Sequence, residues 1–518
     1  MDRFLSRFRS QITGVLSGFD RLVFRGTLLP LVRKGGMYAF LCRAGVRLLD
    51  FKDFVVKTSE SIKQAALADA ERDGRPVRYL ESSQVKKDAL VEQLLAEHPI
   101  QQGLVCAFKT VEPCMSFEYH RSQDPNERGL MLRPKKCLHI YKYFVHPTFG
   151  LMGARIQTWF PFNVQVWLNG REWLAVQMKR KGIAFERHDN CFTGIDRIEA
   201  AQRLMDEQLE TDWTRALTRI ARHLNPLHAK IFQPWPQDYY WSAYQAEWAT
   251  DLLYKTPAAL ADIYPALVKH AMLHFSSEDV MRFLGRKLQG GFKGEVITSF
   301  KKRPEGVRVK HWAGGNSIKM YDKAGRDLRV ETTTANTKSL PKVYRPLQDD
   351  PDGKMAWRPM RKGIADLHRR AEVSQRANER YLDALSVVDD STPLSKIFDE
   401  VSKPVVKEGR RSRAIRVGDE KDIALLKAVS RGEFAVNGFR NRDLQRLLQP
   451  IRRDSSAQAR RKLSAKIGRQ LRLLRAHGLV HKVPKSHYYR LTAKGQLLCA
   501  ALSAARDTTT KQLLRNAA

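Results

Sequence analysis

The sequence predicts an α+β fold with a split mixed sheet core, a helical insertion that interrupts the core, and a small C-terminal domain. Short apolar and alternating runs, typical of strands, cluster at 19–25, 103–160 and 295–335. Helical periodicity dominates between the clusters, and a further series of helices follows residue 418. The predicted segments are 1–162 (first part of the core), 163–292 (helical insertion), 293–345 (closing strands), 346–418 (bridging helix and basic linker) and 419–510 (C-terminal domain).

Charge indicates the kind of partner. The 518 residues contain 91 Lys and Arg against 55 Asp and Glu, a formal net charge of +36. A polyanion is the expected counterpart, namely DNA, structured RNA or an anionic membrane surface, and we favour nucleic acid, with DNA first. No apolar run approaches the ~20 residues that span a bilayer, and Arg residues interrupt the N-terminal segment where a secretory signal would be apolar. We therefore expect a cytoplasmic, nucleoid-associated protein without a membrane partner; the sequence leaves its oligomeric state open.

The first predicted strand is Phe19–Arg25. Strict alternation places Asp20 on the same face as Leu22 and Phe24. A carboxylate on an apolar face needs a partner. That partner is either nearby backbone, as at many strand ends, or a metal ion.

Three more strands are predicted before the insertion: Gly103–Lys109, Leu138–His146 and Ala154–Phe160, of which the last two form a hairpin. Their aromatic residues suit either core packing or stacking on bases. The insertion contains the aromatic segment Gln233–Trp248. At helical spacing this segment is either a buried helix face or a base-stacking platform.

The closing strands include a predicted hairpin of Ser317–Tyr321 and Asp327–Thr333, joined by a turn at 324–325. On the second strand Arg329 and Glu331 share the polar face. The ionisable groups of the hairpin are Lys319, Tyr321, Asp322, Lys323, Arg329 and Glu331. They form either a surface hairpin held by ion pairs or the floor of a metal-dependent phosphodiester site.

The C-terminal domain contains three predicted helices, Asp419–Ser430, Asn437–Leu448 and a third over 455–477. A hairpin of Val480–Val483 and Tyr488–Leu491 follows, and a last helix begins at Thr492. This order resembles a winged helix-turn-helix domain. Residues 401–518 carry 28 Lys and Arg against 8 Asp and Glu, more than half of the total net charge.

In such a domain the third helix enters a major groove and the hairpin lies near the backbone or minor groove. The alternatives are contact with structured RNA or with protein. The predicted nucleic-acid-binding residues are Lys323, Arg329, Arg440, Arg442, Arg460, Arg461, Lys462, Lys466, Arg469, Lys482, Lys485 and Arg490.

Six cysteines are present without a CxxC pair, which argues against a zinc ribbon or a thioredoxin motif. A group of Cys114, His120, Cys137 and His139 matches no standard zinc spacing. The phosphate-binding motif GxxxxGK[ST] and the nucleophile motif GxSxG are also missing.

The segment SIKMYDKAGRDLRVE at 317–331 resembles part of the rolling-circle replication initiators of small plasmids and filamentous phages. The resemblance implies a Tyr nucleophile and a divalent metal, Mg or Mn, acting on a phosphodiester. It assigns Tyr321, Asp322 and Glu331 to catalysis, and Asp322 and Glu331, with Asp20, to the metal. The family's strand-borne HxH pair is missing, since His139 and His146 are seven residues apart.

These observations lead to two hypotheses. The first is a nucleic-acid-binding protein of replication or mobile-element type, a metal-dependent endonuclease or nickase that its winged helix directs to the site. The second is a non-catalytic DNA- or RNA-binding protein, either a transcription regulator or the protein component of a ribonucleoprotein, which needs no cofactor.

Overall fold

The computed structural model describes residues 1–124, 128–273, 275, 277–285, 296–347, 350, 352–386, 394–407, 409–431, 434, 438–448, 456–483 and 486–507, and it is a mixed α+β structure. The helices are α1 Asp2–Phe8, α2 Leu29–Val32, α3 Gly36–Arg43, α4 Phe51–Arg72, α5 Lys87–Glu97, α6 Gly170–Arg180, α7 Ile198–Glu207, α8 Trp213–Leu224, α9 His228–Ile231, α10 Pro257–Leu273, α11 Ser277–Phe283, α12 Leu367–Leu385, α13 Leu394–Val401, α14 Glu420–Ser430, α15 Asn441–Leu448, α16 Ala457–Ala476 and α17 Ala493–Asp507. The strands are β1 Ile12–Thr27, β2 Val77–Tyr79, β3 Gly103–His120, β4 Gly129–His146, β5 Gly150–Gln157, β6 Val164–Asn169, β7 Phe185–His188, β8 Cys191–Ile195, β9 Tyr240–Tyr254, β10 Ile297–Arg303, β11 Gly306–Ala313, β12 Asn316–Lys323, β13 Asp327–Thr334, β14 Val343–Arg345, β15 Ala356–Arg358, β16 Val405–Lys407, β17 Arg410–Ser412, β18 Val480–Lys482 and β19 Tyr489–Leu491.

The chain divides into two compact units. The larger comprises Ile12–Thr256 and Gly314–Arg376, and the smaller comprises Met1–Gln11, Pro257–Ala313 and Ala377–Ala518. Across the described ranges we find no helix whose length and apolar content would let it cross a bilayer.

The larger unit is built on a mixed sheet in the order β12-β13-β9-β1-β6-β5-β4-β3-β2. The pair β2–β3 is parallel and the other pairs of this unit's sheet are antiparallel. Phe19, Leu22 and Phe24 of the central strand β1 are buried in the main hydrophobic core. The strand that we predicted at 19–25 is therefore confirmed, and it forms part of the longer strand β1.

A bulge in β1 breaks the predicted alternation at Asp20. Phe19 pairs with Trp248 and Arg21 with Glu247, so Asp20 is the extra residue between two consecutive partners. The bulge brings Phe19 onto the face of Leu22, whereas alternation alone would place Asp20 there. Asp20 is 6% exposed and bonds polar side chains.

The prediction that residues 163–292 are helical is wrong at the four strands β6 to β9. Of these, β6 and β9 lie on either side of β1 in the sheet. Gln233–Trp248 is therefore no helix face, because its second half belongs to β9. Trp241 and Trp248 are buried there, whereas Tyr244 is 55% exposed. The aromatic spacing of this segment fits a helix as well as a strand. Its backbone pairing with β1 makes it a strand.

The strands predicted in 103–160 are present, and β3 and β4 are longer than expected at 18 residues each. The predicted hairpin of β4 and β5 is confirmed. Tyr141 and Tyr143 of β4 pack in a second hydrophobic cluster with Phe108. For these two side chains the structure supports packing over base stacking.

The smaller unit contains a hydrophobic cluster formed by α13 to α17 and the β18–β19 hairpin. Part of the predicted linker is structured, because Ile397, Val401 and Ile415 join this cluster. Arg413 also donates two hydrogen bonds of 2.6 Å to the carboxylate of Asp422.

The described C-terminal elements follow in the predicted order. The Asp419 side chain accepts hydrogen bonds from the N–H groups of Lys421 and Asp422, as expected of an N-cap. The helix α16 buries the predicted apolar face of Leu463, Ile467, Leu471 and Leu474. Asn437, the predicted start of the second helix, lies outside the described residues.

Candidate functional site

Three acidic side chains of the larger unit converge on adjacent strands. Asp20 is on β1, Glu247 on β9 and Glu331 on β13, and one carboxylate oxygen from each lies within 4.8 Å of the others. Glu331 pairs with Ala249, two residues after Glu247, so Glu247 and Glu331 point to the same face of the sheet. The bulge at Asp20 adds the third carboxylate. We call these three residues the carboxylate triad.

The triad contains two of the three predicted metal ligands and one residue that we missed. Asp322 does not belong to it. It pairs with Leu328, on the opposite face of the hairpin from the pair of Tyr321 and Arg329. The hairpin itself is confirmed, and Ala324 and Gly325 adopt the positive φ angles of its turn, 57° and 70°.

Arg329 connects the triad to a fourth acidic residue, Asp251. Its guanidinium is fully buried and forms an ion pair with Asp20 at 3.3 Å and a two-nitrogen contact with Asp251. Arg171 donates to the same Asp251 carboxylate at 2.7 Å. We predicted that Arg329 contacts nucleic acid; in the structure it lies between buried carboxylates instead.

The start of α6 places Arg171 at this network. A Cβ on Gly170 would lie 1.8 Å from the carbonyl oxygen of Phe19, so only glycine lets the helix begin against β1. The Asn169 side chain caps the helix by accepting hydrogen bonds from two backbone N–H groups of its first turn.

Asp20 is held in its ionised form. Burial alone would raise the pKa of its carboxyl, but the cations Arg329 and Arg171 together with a hydrogen bond from Asn190 lower the pKa below its usual value. Asn190 Nδ2 donates to Asp20 at 2.8 Å. The amide oxygen of the same side chain is buried and accepts no hydrogen bond within the part of the chain that the structure describes.

The surroundings of Glu331, in contrast to those of Asp20, favour the protonated form of its carboxyl group. Burial raises the pKa of its carboxyl to about 8, and the neighbouring charges of Asp20 and Glu247 add to this, although Lys319 acts against it. Lys319 Nζ lies 2.6 Å from Glu331 Oε1, and the Tyr321 hydroxyl donates to Oε2 at 3.1 Å. At neutral pH the triad therefore holds a proton on Glu331.

Glu247 is the least buried member of the triad. It is half-buried, whereas Asp20 and Glu331 are buried. Its Oε1 accepts a hydrogen bond of 2.6 Å from Gln245. A ligand from solvent would reach the triad on the side of Glu247.

Tyr321, the predicted nucleophile, is 5% exposed. Burial and then the charge of Glu331 raise its pKa well above the usual value. Its hydroxyl thus keeps its proton and acts as a hydrogen-bond donor to Glu331. Lys323, predicted to bind nucleic acid, forms an ion pair with Asp189 at 3.1 Å.

A further buried acid, Asp327, accepts a hydrogen bond of 2.9 Å from the Cys191 thiol. Burial raises its pKa to about 7, and the charge of Asp251 adds to this. Polar and apolar residues alternate in YWSAYQAEWATDLLY only over 241–243 and 245–248, which is a weak signal for the strand that carries Glu247 and Asp251.

The basic C-terminal residues are mostly at the surface. On α16 the side chains of Arg460, Arg461, Lys462, Lys466 and Arg469 are exposed, as are Lys482 and Arg490 of the hairpin and Arg442 of α15. Arg440 is half-buried, bonds Asp443 and lies over the ring of Tyr488. Lys485 lies outside the described residues.

Comparison with known proteins adds no relative, since the chain matches no family model, no curated protein and no solved structure.

Proposed function

We propose that this protein binds nucleic acid and cleaves its phosphodiester bonds with the help of a divalent metal at the carboxylate triad. The observation that carries the proposal is the convergence of Asp20, Glu247 and Glu331 within 4.8 Å in a chain with a net charge of +36. Three converging carboxylates repel a polyanion unless a cation lies between them and the phosphate. The basic residues supply the affinity for the nucleic acid, and the triad supplies the cation site.

The donor set fits a hard divalent cation. Carboxylate oxygens are the preferred ligands of Mg²⁺ and Mn²⁺. The buried amide oxygen of Asn190, beside Asp20, offers a further oxygen. A metal held there would act as a Lewis acid toward a phosphodiester oxygen and lower the pKa of a bound water.

The residues around the triad have distinct tasks in this proposal. Arg329 orients Asp20 through the ion pair at 3.3 Å, and Tyr321 orients Glu331 through its hydroxyl. Glu331 has to release its proton before it can hold a metal. Lys319, 17% exposed, is the cation closest to Glu331 and can turn toward a phosphate once a metal neutralises the carboxylate.

The C-terminal elements are the proposed targeting domain. Three helices, a hairpin and a last helix, with the five predicted basic side chains of α16 exposed, support a winged helix that binds duplex DNA. The resemblance of residues 317–331 to rolling-circle initiators favours a replication or mobile-element context.

The test is cleavage of supercoiled plasmid and single-stranded oligonucleotides by the purified chain with Mg²⁺ or Mn²⁺. We expect nicks that chelation prevents, and at least a hundredfold loss of rate in Glu331→Gln and Glu247→Gln. Glu60→Gln is the matched control, since Glu60 forms a surface ion pair with Lys63 and its side chain is 58% exposed. Equal cleavage by wild type and both triad variants would refute the catalytic proposal.

The alternative is a non-catalytic binder in which the triad only stabilises the fold. The complete burial of Glu331 and the distance of 2.6 Å between its Oε1 and Lys319 Nζ favour this function. It predicts no metal-dependent cleavage, and nucleic-acid affinity that Glu331→Gln leaves unchanged. Sequencing of the nucleic acid that co-purifies with the chain separates the two, because one defined RNA supports the binder and nicked DNA supports the enzyme.

A further inference from the structure

A second cluster of metal-ligating side chains lies on the β3–β4 ribbon. The sulfurs of Cys114 and Cys137 and one ring nitrogen of His139 all lie within 4.8 Å of one another. In the pairing of the two strands, Cys114 is opposite Lys135 and Cys137 is opposite Glu112. Residues 112 and 114 therefore share a face with residues 135, 137 and 139, and the three ligands project from the same side of the ribbon.

We propose that Cys114, Cys137 and His139 bind a zinc ion or a similar thiophilic divalent metal. Thiolate and imidazole together are a donor set that Zn²⁺ prefers over Mg²⁺ and Ca²⁺. Three protein ligands leave a fourth position for water or an exchangeable ligand. His120, which the sequence suggested as a further ligand, is not a member of this cluster.

One ring nitrogen of His139 already has a backbone partner. Its Nδ1 lies 3.1 Å from the carbonyl oxygen of Cys137. A proton on Nδ1 would donate to that carbonyl and leave the lone pair on Nε2, the usual arrangement of a metal-bound histidine. The imidazole is 4% exposed, which fixes its orientation.

The cysteines have room to adapt. Their sulfurs are 2.8 Å apart, and both side chains are half-buried. Two thiolates on one tetrahedral zinc stand ~3.8 Å apart, given Zn–S bonds of about 2.3 Å. Metal binding thus needs the sulfurs to separate by about 1 Å, which partly exposed side chains can reach by small rotations.

The charged groups beside the cluster have partners of their own. Glu112, opposite Cys137, accepts a hydrogen bond of 2.6 Å from the Tyr141 hydroxyl and pairs with Arg155 and Lys87. Its carboxylate is therefore engaged with other groups, and these three side chains together carry one positive charge. A zinc ion with two thiolates is neutral overall, so its binding leaves this local charge unchanged.

The test uses the full chain, reduced, stripped with a chelator and then loaded with zinc or cobalt alone. We expect one zinc per chain and, with cobalt, a thiolate-to-metal charge-transfer absorption, which carboxylate ligands cannot produce. Cys114→Ser and Cys137→Ser should each lower zinc affinity at least tenfold. Cys42→Ser, which removes an exposed cysteine elsewhere, should retain full affinity.

His139→Asn tests the third ligand, and the half-buried Cys114 variant remains informative if the buried histidine variant fails to fold. Unchanged zinc affinity in both cysteine variants would overturn the proposal. A second result would also overturn it: the chain becomes lighter by two hydrogens after air oxidation, and the reduced chain takes up no zinc. That combination indicates a cross-strand disulfide instead of a metal site. The proposal does not depend on the carboxylate triad.

Discussion

The replacement Glu331→Gln gives the sharpest test of the protonation of the triad. The pKa of Glu331 is about 8 in the folded protein, against 4.5 for an ordinary glutamate, with burial as the main cause. The folded chain therefore binds this proton more tightly than the unfolded chain. The resulting stabilisation is complete below pH 4.5 and is lost as the pH rises toward 8.

The size of the effect follows from the proton affinity. Each tenfold change corresponds to about 1.4 kcal/mol, so wild type loses on the order of 5 kcal/mol through this group between pH 4.5 and 8. Glutamine has nearly the shape of a protonated glutamate and does not titrate. We expect the variant to be within about 1 kcal/mol of wild type at low pH and to become the more stable protein as the pH approaches 8.

Urea unfolding at a series of pH values, followed by tryptophan fluorescence, measures this difference. The comparison of two chains that differ at one residue removes the contribution of every titrating group that does not interact with residue 331. Glu60→Gln should instead follow wild type at all pH values, because Glu60 is at the surface. Parallel curves for wild type and Glu331→Gln would show that Glu331 is ionised in the folded protein, and the reasoning would fail.

Three further changes test other parts of the structure. Arg329→Leu should cost about 3–5 kcal/mol of unfolding free energy, because it leaves Asp20 and Asp251 buried without their shared cation; a loss below about 1 kcal/mol in the same urea assay would contradict this. Asp327→Asn should gain stability relative to wild type as the pH rises from 3.8 to 7, because the raised pKa of Asp327 makes its protonated form the stabilising one, and a constant difference over that range would count against it. The double change of Arg461 and Lys462 to Gln should weaken DNA binding and lower the slope of log affinity against log salt by roughly one for each lost phosphate contact, whereas an unchanged slope would show that these two side chains contact no phosphate.

The sequence was informative where local chemistry decides the structure. The closing hairpin could be predicted because a positive φ at residues 324–325 follows from the turn and alternation defines its strands. The cap at Asp419 and the apolar face of α16 were predictable for the same reason. In each case the signal lies within a few residues of the feature.

Long-range pairing explains what the sequence did not reveal. Glu247 was missed because its segment fitted a helix, and only pairing with β1 makes β9 a strand. The bulge at Asp20 arises from the register between those two strands and has no local signature. For Asp322, in contrast, the sequence was sufficient. Alternation places Asp322 and Tyr321 on opposite faces of the same strand, so both side chains could not belong to one site.

The charge balance of the buried network is an argument for a cation at the triad. The network contains five carboxyl groups, Asp20, Glu247, Asp251, Asp327 and Glu331, and three cations, Arg171, Lys319 and Arg329. Burial raises the pKa of two of these groups, Glu331 to about 8 and Asp327 to about 7, so each holds its proton more tightly than an ordinary carboxyl group does. A divalent ion carries the charge that those two protons carry. Metal binding to the triad should therefore release protons from the folded chain, and its affinity should rise with pH up to about 8, the pKa of Glu331.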